Sequence, residues 1–250
     1  MEERGPAAYL AEFLGTLMLV LFVTLAVSEF VAQPSPQNPS PFVDWGVIGL
    51  VHVFILLVLV QTLAVVSGAH FNPAVTVALA ALRQIRPPDA GVYVLAQLAG
   101  ALVGALITKL LLTEFENADA VNFGAVSLSA AIDEKAGLGM LAEFLGTFLL
   151  VFAIVGAALN PRVDRALAPF VIGGALGLAV MVIGSLTGAG LNPARAFGPA
   201  LAANEWGDIG PWLLVYVLAP LIGALAAAFA YFNLFVTPGK KGVEGMEPVG

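Results

Sequence analysis

The 250-residue chain contains no cysteine and has few charged residues. Without cysteine it can form no disulfide bond and carries no thiol nucleophile. Charged residues make up 11% of the chain and hydrophobic residues 60%, whereas a soluble domain is about a quarter charged. So few charges cannot cover a globule in water. The composition therefore predicts a protein that crosses a membrane several times.

The chain also has no excess of basic residues, and its formal net charge is −7. Nucleic acid is therefore not an expected partner, since it is bound by a basic face. The sequence offers no cluster of metal ligands and no nucleophile beside a base, so we expect no metal, no cofactor and no enzymatic activity. Its first apolar run is too long for a signal peptide and is expected to remain as a membrane span.

Six apolar segments are long enough for a helix that crosses a bilayer, which takes about 20 residues. They lie at about 8–31, 46–66, 88–113, 138–159, 167–186 and 211–236. Two shorter apolar stretches, 73–82 and 193–203, each follow an Asn-Pro pair and are too short to span. The segment 33–41 is rich in proline, and the tail 237–250 is predicted to be disordered.

The basic residues predict the orientation of the chain in the membrane. With both termini in the cytoplasm, seven basic residues lie inside: Arg4, Arg83, Arg86, Arg162, Arg165, Lys240 and Lys241. Only three, Lys109, Lys135 and Arg195, lie outside or within the membrane. Because cytoplasmic connectors are enriched in lysine and arginine, this distribution favours cytoplasmic termini. A plasma or inner cell membrane is the expected location.

The sequence repeats itself in two halves. The motif AEFLGT occurs at 11–16 and again at 142–147, and SGAHFNPA at 67–74 is matched by TGAGLNPA at 187–194. Each half, 8–113 and 138–236, contains three spans, and because three is an odd number the second half must cross the membrane in the opposite sense. We therefore expect one channel domain over 1–250, built from inverted repeats with a site at their interface near the membrane midplane.

Each half also contains a candidate half-helix. Two Asn-Pro-Ala triplets begin the short apolar stretches: Asn72, Pro73, Ala74 and Asn192, Pro193, Ala194. Asparagine is a preferred helix N-cap, and proline is favoured at the first helical position. Ten helical residues measure about 15 Å, half of a ~30 Å hydrocarbon core. The inverted halves would bring the two positive helix ends together at the membrane centre.

The residues before each triplet are predicted to line a water-filled path, since exposed backbone is tolerated at this depth only beside such a cavity. Their carbonyl groups would replace part of a solute's hydration shell: Gly68, Ala69, His70, Gly188, Ala189 and Gly190. The side-chain amides of Asn72 and Asn192 would donate to the passing water oxygen. The paired helix ends would form a positive barrier to protons.

The paired triplets, the continuation NPARAFGP and the glutamate of AEFLGT resemble the aquaporin, or major intrinsic protein, family over about residues 8–236. This resemblance implies a right-handed bundle of six tilted helices with two half-helices, one pore in each subunit, and a homotetramer. Glycerol facilitators of the family typically have an aspartate directly after NPAR and a basic residue soon after it. This chain has Ala196 and Ala200 there, which favours the water-channel branch.

Four residues are predicted to converge in the outer third of the membrane: His52, Val180, Ala189 and Arg195. His52 and Val180 each lie about six residues from the outer end of a span, and Arg195 lies one turn beyond Asn192. The resemblance implies that they form the selectivity constriction, in a combination similar to that of plant tonoplast channels, which pass water and often ammonia or urea. Val180 is smaller than the histidine of strict water channels, so a wider pore is expected, and Arg195 would repel cations.

Two buried acids, Glu12 and Glu143, occupy equivalent places in the repeat. We interpret them as acceptors for backbone N–H groups of the two loops, in preference to a proton relay. The predicted function is passive passage of water and small neutral solutes (ammonia and urea, with glycerol as a further candidate) across a lipid bilayer, with protons and ions excluded. A glycerol-type facilitator, a secondary transporter with similar broken helices and a junction protein with a closed pore remain alternatives.

Overall fold

A computed structural model describes residues 4–30, 44–114 and 119–236. Within these ranges the chain forms helices and no strands. Six long helices are α1 (Pro6–Phe30), α2 (Trp45–Ser67), α4 (Pro87–Leu111), α5 (Ala136–Leu159), α6 (Ala168–Thr187) and α8 (Ile209–Val236), and two short ones are α3 (Pro73–Ala81) and α7 (Pro193–Ala203). Six helices are long and apolar enough to cross a membrane, which confirms the predicted all-α membrane fold.

The ends of the helices follow the local sequence, and they lie within two residues of the predicted bounds. The side chain of Asp44 caps α2 by accepting from the Val47 N–H at 2.8 Å. Helices α2 and α6 end at Gly68 and Gly188, which adopt left-handed conformations with φ of +91° and +74°. The proline-rich segment 33–41 and the tail 237–250 lie outside the described residues.

The two halves of the chain interlock. Helix α1 packs on α4, α5 packs on α8, and α2 crosses to pack on α6 of the other half. Each short helix also lies against a long helix of the opposite half, α3 against α8 and α7 against α4. The start of each short helix is therefore held by both halves, at the centre of the bundle.

Glycine makes the closest helix crossings possible, as small residues do in membrane bundles. A β-carbon built on Gly104 of α4 would lie 2.5 Å from the Leu17 carbonyl oxygen of α1. One built on Gly173 of α6 would lie 2.5 Å from the Val53 carbonyl oxygen of α2. These backbones approach so closely that no larger residue fits without moving the helices apart.

Alanine at position 173 is therefore expected to destabilise the protein by about 1–3 kcal/mol, as overpacking does. The neighbouring Gly174 provides a matched control, because a β-carbon there meets nothing within 4 Å. Gly174→Ala is expected to be neutral or stabilising, since alanine favours a helix over glycine by about 1 kcal/mol. Thermal unfolding in detergent compares the two variants, and equal melting temperatures would show that the α2–α6 contact does not need glycine.

Candidate functional site

Both Asn-Pro-Ala triplets begin short helices in the structure. The Asn72 side-chain oxygen accepts from the Ala74 N–H at 2.8 Å, and the Asn192 oxygen accepts from the Ala194 N–H at 2.9 Å. Pro73 and Pro193 follow at the first helical positions, where the missing N–H removes no helical hydrogen bond. Both asparagines are buried.

The two asparagines also tie the two halves to each other. The Asn72 amide nitrogen donates to the Leu191 carbonyl at 2.9 Å, and the Asn192 amide nitrogen donates to the Phe71 carbonyl at 2.8 Å. Each side chain thus caps its own helix with its oxygen and binds the opposite loop with its nitrogen. An amide nitrogen carries two hydrogens, so one remains on each asparagine for a further acceptor.

Glu12 of α1 holds the first loop, 68–72. Its carboxylate is fully buried and accepts four hydrogen bonds. One oxygen accepts from the Ser67 hydroxyl at 2.7 Å and the His70 N–H at 2.9 Å, and the other accepts from the Phe71 N–H at 2.7 Å and the Gln97 amide at 2.8 Å. The loop's backbone donors therefore have partners although no regular secondary structure satisfies them.

Glu143 of α5 repeats this arrangement in the second loop, 188–192. It accepts from the Thr187 hydroxyl at 2.6 Å, the Gly190 N–H at 2.8 Å and the Leu191 N–H at 2.6 Å. The glycine of each AEFLGT motif leaves room for the loop it faces. A β-carbon on Gly146 would lie 2.5 Å from the Leu191 side chain, and one on Gly15 would collide with the Phe71 ring.

The backbone of both loops is strained. Ala69, Phe71, Ala189 and Leu191 have φ of +54°, +49°, +48° and +52°, a region that residues other than glycine rarely adopt. Such residues persist where their surroundings fix them. Here the Phe71 and Leu191 N–H groups are bound by the two buried glutamates, so the conformation follows from the hydrogen bonds.

A cavity runs between these loops and the long helices. The loops contribute its polar side, with Ala69, His70, Ala189 and Gly190 beside the two asparagines. Apolar side chains from the long helices form much of the remaining wall: Leu19, Val23, Leu56, Leu150, Ile154, Ile172 and Leu176. Because these apolar side chains offer no hydrogen-bonding groups, a solute in the cavity would form its hydrogen bonds on the loop side.

The structure brings three of the four predicted constriction residues together. His52, Ala189 and Arg195 all line the cavity. Val180 is fully buried and lies one helical turn after the cavity-lining Leu176, on the same face of α6. Among the residues predicted to offer carbonyls, Ala69, His70, Ala189 and Gly190 line the cavity, and Gly68 and Gly188 directly precede them at the ends of α2 and α6.

Arg195 is buried and its charge has no acidic neighbour in ion-pair contact among the residues that the structure describes. One guanidinium nitrogen donates to the Gly124 carbonyl at 3.0 Å. Gly124 adopts φ of +77°, and a β-carbon there would lie 2.8 Å from the Thr24 carbonyl oxygen. The connector between α4 and α5 therefore positions this arginine, a contact that no sequence pattern indicated.

The sequence analysis did not predict two further hydrogen bonds, which hold the ends of α2 and α6. The Tyr93 hydroxyl donates to the Ser67 carbonyl at 2.7 Å, and the Tyr216 hydroxyl donates to the Thr187 carbonyl at 2.9 Å. The aligned hydroxyls of Ser67 and Thr187 in the repeat were a sequence signal that could have indicated these two contacts.

No group of three or more His, Cys, Asp or Glu side chains in the described part of the chain is placed to hold a metal ion.

Comparison with known proteins agrees with this architecture. Residues 4–231 match the family model described as major intrinsic protein. The chain is 34% identical over 239 residues to the aquaporin AqpM of Methanothermobacter thermautotrophicus, covering 89% of this chain and 94% of that protein. It is 37% identical over 223 residues to the glycerol uptake facilitator protein-like 6 of Lactiplantibacillus plantarum, covering 88% and 94%. The solved aquaglyceroporin of Plasmodium falciparum superposes with a TM-score of 0.78 at 22% identity, covering 93% and 97%.

Proposed function

Because this chain belongs to the major intrinsic protein family, we propose that its cavity conducts water and small neutral solutes and excludes protons and ions. Members of the family are channels and not enzymes, so the chain is a passive channel in a membrane that it crosses several times. The single observation that supports this path most is the pair of crossed asparagines. Each leaves one amide hydrogen beside the cavity, where a solute's oxygen can accept it.

The proposed constriction consists of His52, Ala189 and Arg195, which share the cavity. The proposed solutes besides water are ammonia and urea, because a histidine at position 52 with small neighbours is similar to the tonoplast pattern. Val180, one turn after the cavity-lining Leu176, is the fourth proposed constriction residue, and its small side chain would leave the pore wider. Glycerol is a further candidate, favoured by the 37% identity to a protein named as a glycerol facilitator relative.

We also propose how the subunits assemble and how the chain is oriented in the membrane. A homotetramer with one pore in each subunit follows from the family resemblance. Cytoplasmic termini follow from the seven basic residues on that side against three elsewhere. Under this orientation His52 and Arg195 lie toward the outside, and Ile154 and Ile172 lie toward the cytoplasm.

A larger side chain in the constriction is expected to block most of the water flux. Ala189→Leu adds bulk to the cavity wall at φ of +48°, and Leu191 at φ of +52° shows that leucine is compatible with this backbone. Osmotic water permeability in liposomes, measured by stopped-flow light scattering, should fall by roughly tenfold or more, because a narrow pore conducts only while its constriction stays open.

The matched control is Ala64→Leu, which adds the same bulk to an exposed position of α2. Its water permeability should equal that of the wild type. If Ala189→Leu folds and conducts as fast as this control, the cavity is not the conducting path and the proposed function is wrong.

The absence of cysteine gives a second test. Mercury compounds react with thiolates, so they should leave water flux through the wild type unchanged. Ala189→Cys places a thiol in the cavity wall and should make the flux sensitive to mercury, with recovery after a reducing agent. Ala64→Cys is the control with an exposed thiol. Strong block of the wild type, or equal block of both variants, would contradict the placement of Ala189 in the pore.

A further inference from the structure

The connector between α4 and α5 contains a tight turn with left-handed backbone. Asn122, Phe123 and Gly124 have φ of +50°, +49° and +77°, and the Ala125 N–H donates to the Asn122 carbonyl at 3.0 Å. A bulky residue such as phenylalanine seldom adopts this region, and it persists there only where its surroundings fix the backbone. The turn ends at the Gly124 carbonyl, which accepts from the Arg195 guanidinium at 3.0 Å.

The side chain of Phe123 anchors this turn to three helices. It is buried and packs in an apolar cluster with Leu112 at the end of α4, Leu25 of α1 and Ala203 of α7. One aromatic ring therefore joins the connector to the helix that carries Arg195 and to the two helices beside it.

Lys109 of α4 connects the same turn to the end of α7. Its Nζ lies 5.5 Å from the centre of the Phe123 ring, inside the range of about 6 Å for a cation–π contact. The same nitrogen donates to the Ala202 carbonyl at 3.0 Å. Carbonyls in the last turn of a helix lack helical partners, and a cation is favourable there. Lys109 thus contacts both the turn that binds the guanidinium and the helix that carries it.

We propose that Phe123 and Lys109 are positioning residues for Arg195. Together they fix the turn relative to α7, so that the Gly124 carbonyl stays on the guanidinium and the guanidinium stays at the cavity. This inference rests on the proposed function, because Arg195 acts in that pore. It goes beyond that function by assigning a role in ion exclusion to a connector that lies outside both halves of the inverted repeat.

The guanidinium needs such support because its Nε–H has no partner among the described residues, and the arginine side chain has several rotatable bonds. If the Gly124 carbonyl moves, the guanidinium can rotate and carry its charge away from the cavity. Coulomb repulsion falls with distance, so a displaced charge repels protons and cations in the pore less strongly. The expected result is a higher proton leak while water still passes.

Phe123→Ala should raise the proton leak about tenfold in liposomes, less than removal of the Arg195 charge, because the charge remains but is displaced. Phe54→Ala is the matched control, since it removes the same ring from a side chain of α2 that is 58% exposed. Its leak should equal that of the wild type. Phe123→Leu keeps apolar bulk in the cluster and should restore most of the barrier.

Lys109→Met keeps the length of the side chain and removes its charge. The leak should rise by about threefold, in keeping with the loss of an exposed cation–π contact. Lys135→Met is the control, because Lys135 is also exposed but pairs with its near neighbour Asp133 at 2.8 Å. Wild-type leak in both Phe123→Ala and Lys109→Met, with a raised leak in Arg195→Leu, would overturn the proposal.

A double substitution distinguishes positioning from general loosening of the bundle. In a protein that already carries Arg195→Leu, Phe123→Ala should add nothing to the leak, because residues that act through one another are not additive. Loosening of the bundle would add its own leak with or without Arg195. Additive leaks would therefore contradict the positioning role.

The position of the guanidinium can also be followed without flux. The chain has six arginines, and ¹⁵N NMR of the arginine-labelled full-length protein in bilayers assigns Arg195 by the signal that Arg195→Leu removes. This signal should shift in Phe123→Ala and in Lys109→Met, and it should stay in place in Phe54→Ala and Lys135→Met. An unchanged signal in Lys109→Met, whose altered side chain is exposed, would overturn the proposal even if Phe123→Ala failed to fold.

The NMR result does not depend on whether the Arg195 charge forms the proton barrier. Failure of the proposed channel function would appear differently, as equal water flux in Ala189→Leu and Ala64→Leu.

Discussion

Replacing Glu12 with alanine is expected to destabilise the protein by roughly 2–6 kcal/mol and to abolish water flux. The change leaves the His70 and Phe71 N–H groups buried without their acceptor, at about 1–3 kcal/mol for each. It also removes a partner from Ser67 and Gln97. Since the same hydrogen bonds hold the strained loop beside the cavity, the loop should lose its conformation before the rest of the bundle unfolds.

Thermal unfolding in detergent and stopped-flow water flux measure the two effects. Glu29→Ala is the matched control, because Glu29 lies in the same helix and is exposed. Glu12→Gln should be intermediate: an amide has only one acceptor oxygen, and its NH₂ group would face donors that the second carboxylate oxygen now binds. A Glu12→Ala protein as stable and as permeable as Glu29→Ala would contradict the loop-holding role.

The architecture could be predicted from the sequence because it depends on short-range signals. Each long helix required only an apolar run of sufficient length, and each short helix required a cap of the Asn-Pro type. Asn72 and Asn192 were therefore placed correctly at helix starts, and the repeat implied that they meet. The helix bounds agree within two residues for the same reason.

The contacts between loops could not be predicted, because they depend on how two distant segments face each other. The bond from the Asn72 amide to the Leu191 carbonyl joins residues 119 positions apart, and no periodicity encodes it. Sequence reasoning predicted that the two asparagine amides donate to the solute, and it did not predict that each uses one hydrogen to bind the opposite loop. Arg195 and Gly124 are a similar case, since the connector that carries Gly124 has no regular pattern.

Val180 remains a predicted constriction residue. It lies one turn after Leu176, on the face of α6 that also carries Ile172, and both of those residues line the cavity. Helical spacing from Asn192 gives the depth of Val180 in its span. It does not give how closely the side chain approaches the cavity, which depends on how α6 packs against α2.

Removal of the Arg195 charge is expected to raise the proton and cation leak while water still passes. The guanidinium is buried and has no acidic partner in ion-pair contact within the described residues, and its field acts on the cavity although the buried Glu143 carboxylate offsets part of it. Two unit charges about 5 Å apart repel by about 3 kcal/mol at an effective dielectric constant of about 20. Arg195→Leu should therefore increase the leak by about a hundredfold.

The control for this change is Arg162→Leu, because Arg162 is exposed in the connector between α5 and α6. Proton leak is followed with a pH-sensitive dye in liposomes under a pH gradient, beside the water permeability of the same preparation. A leak in Arg195→Leu that equals that of Arg162→Leu, with water flux retained, would assign the barrier to the paired starts of α3 and α7. Their positive ends meet at Asn72 and Asn192 and remain unchanged in this variant. The measurement thus separates a barrier due to one side chain from a barrier due to the fold.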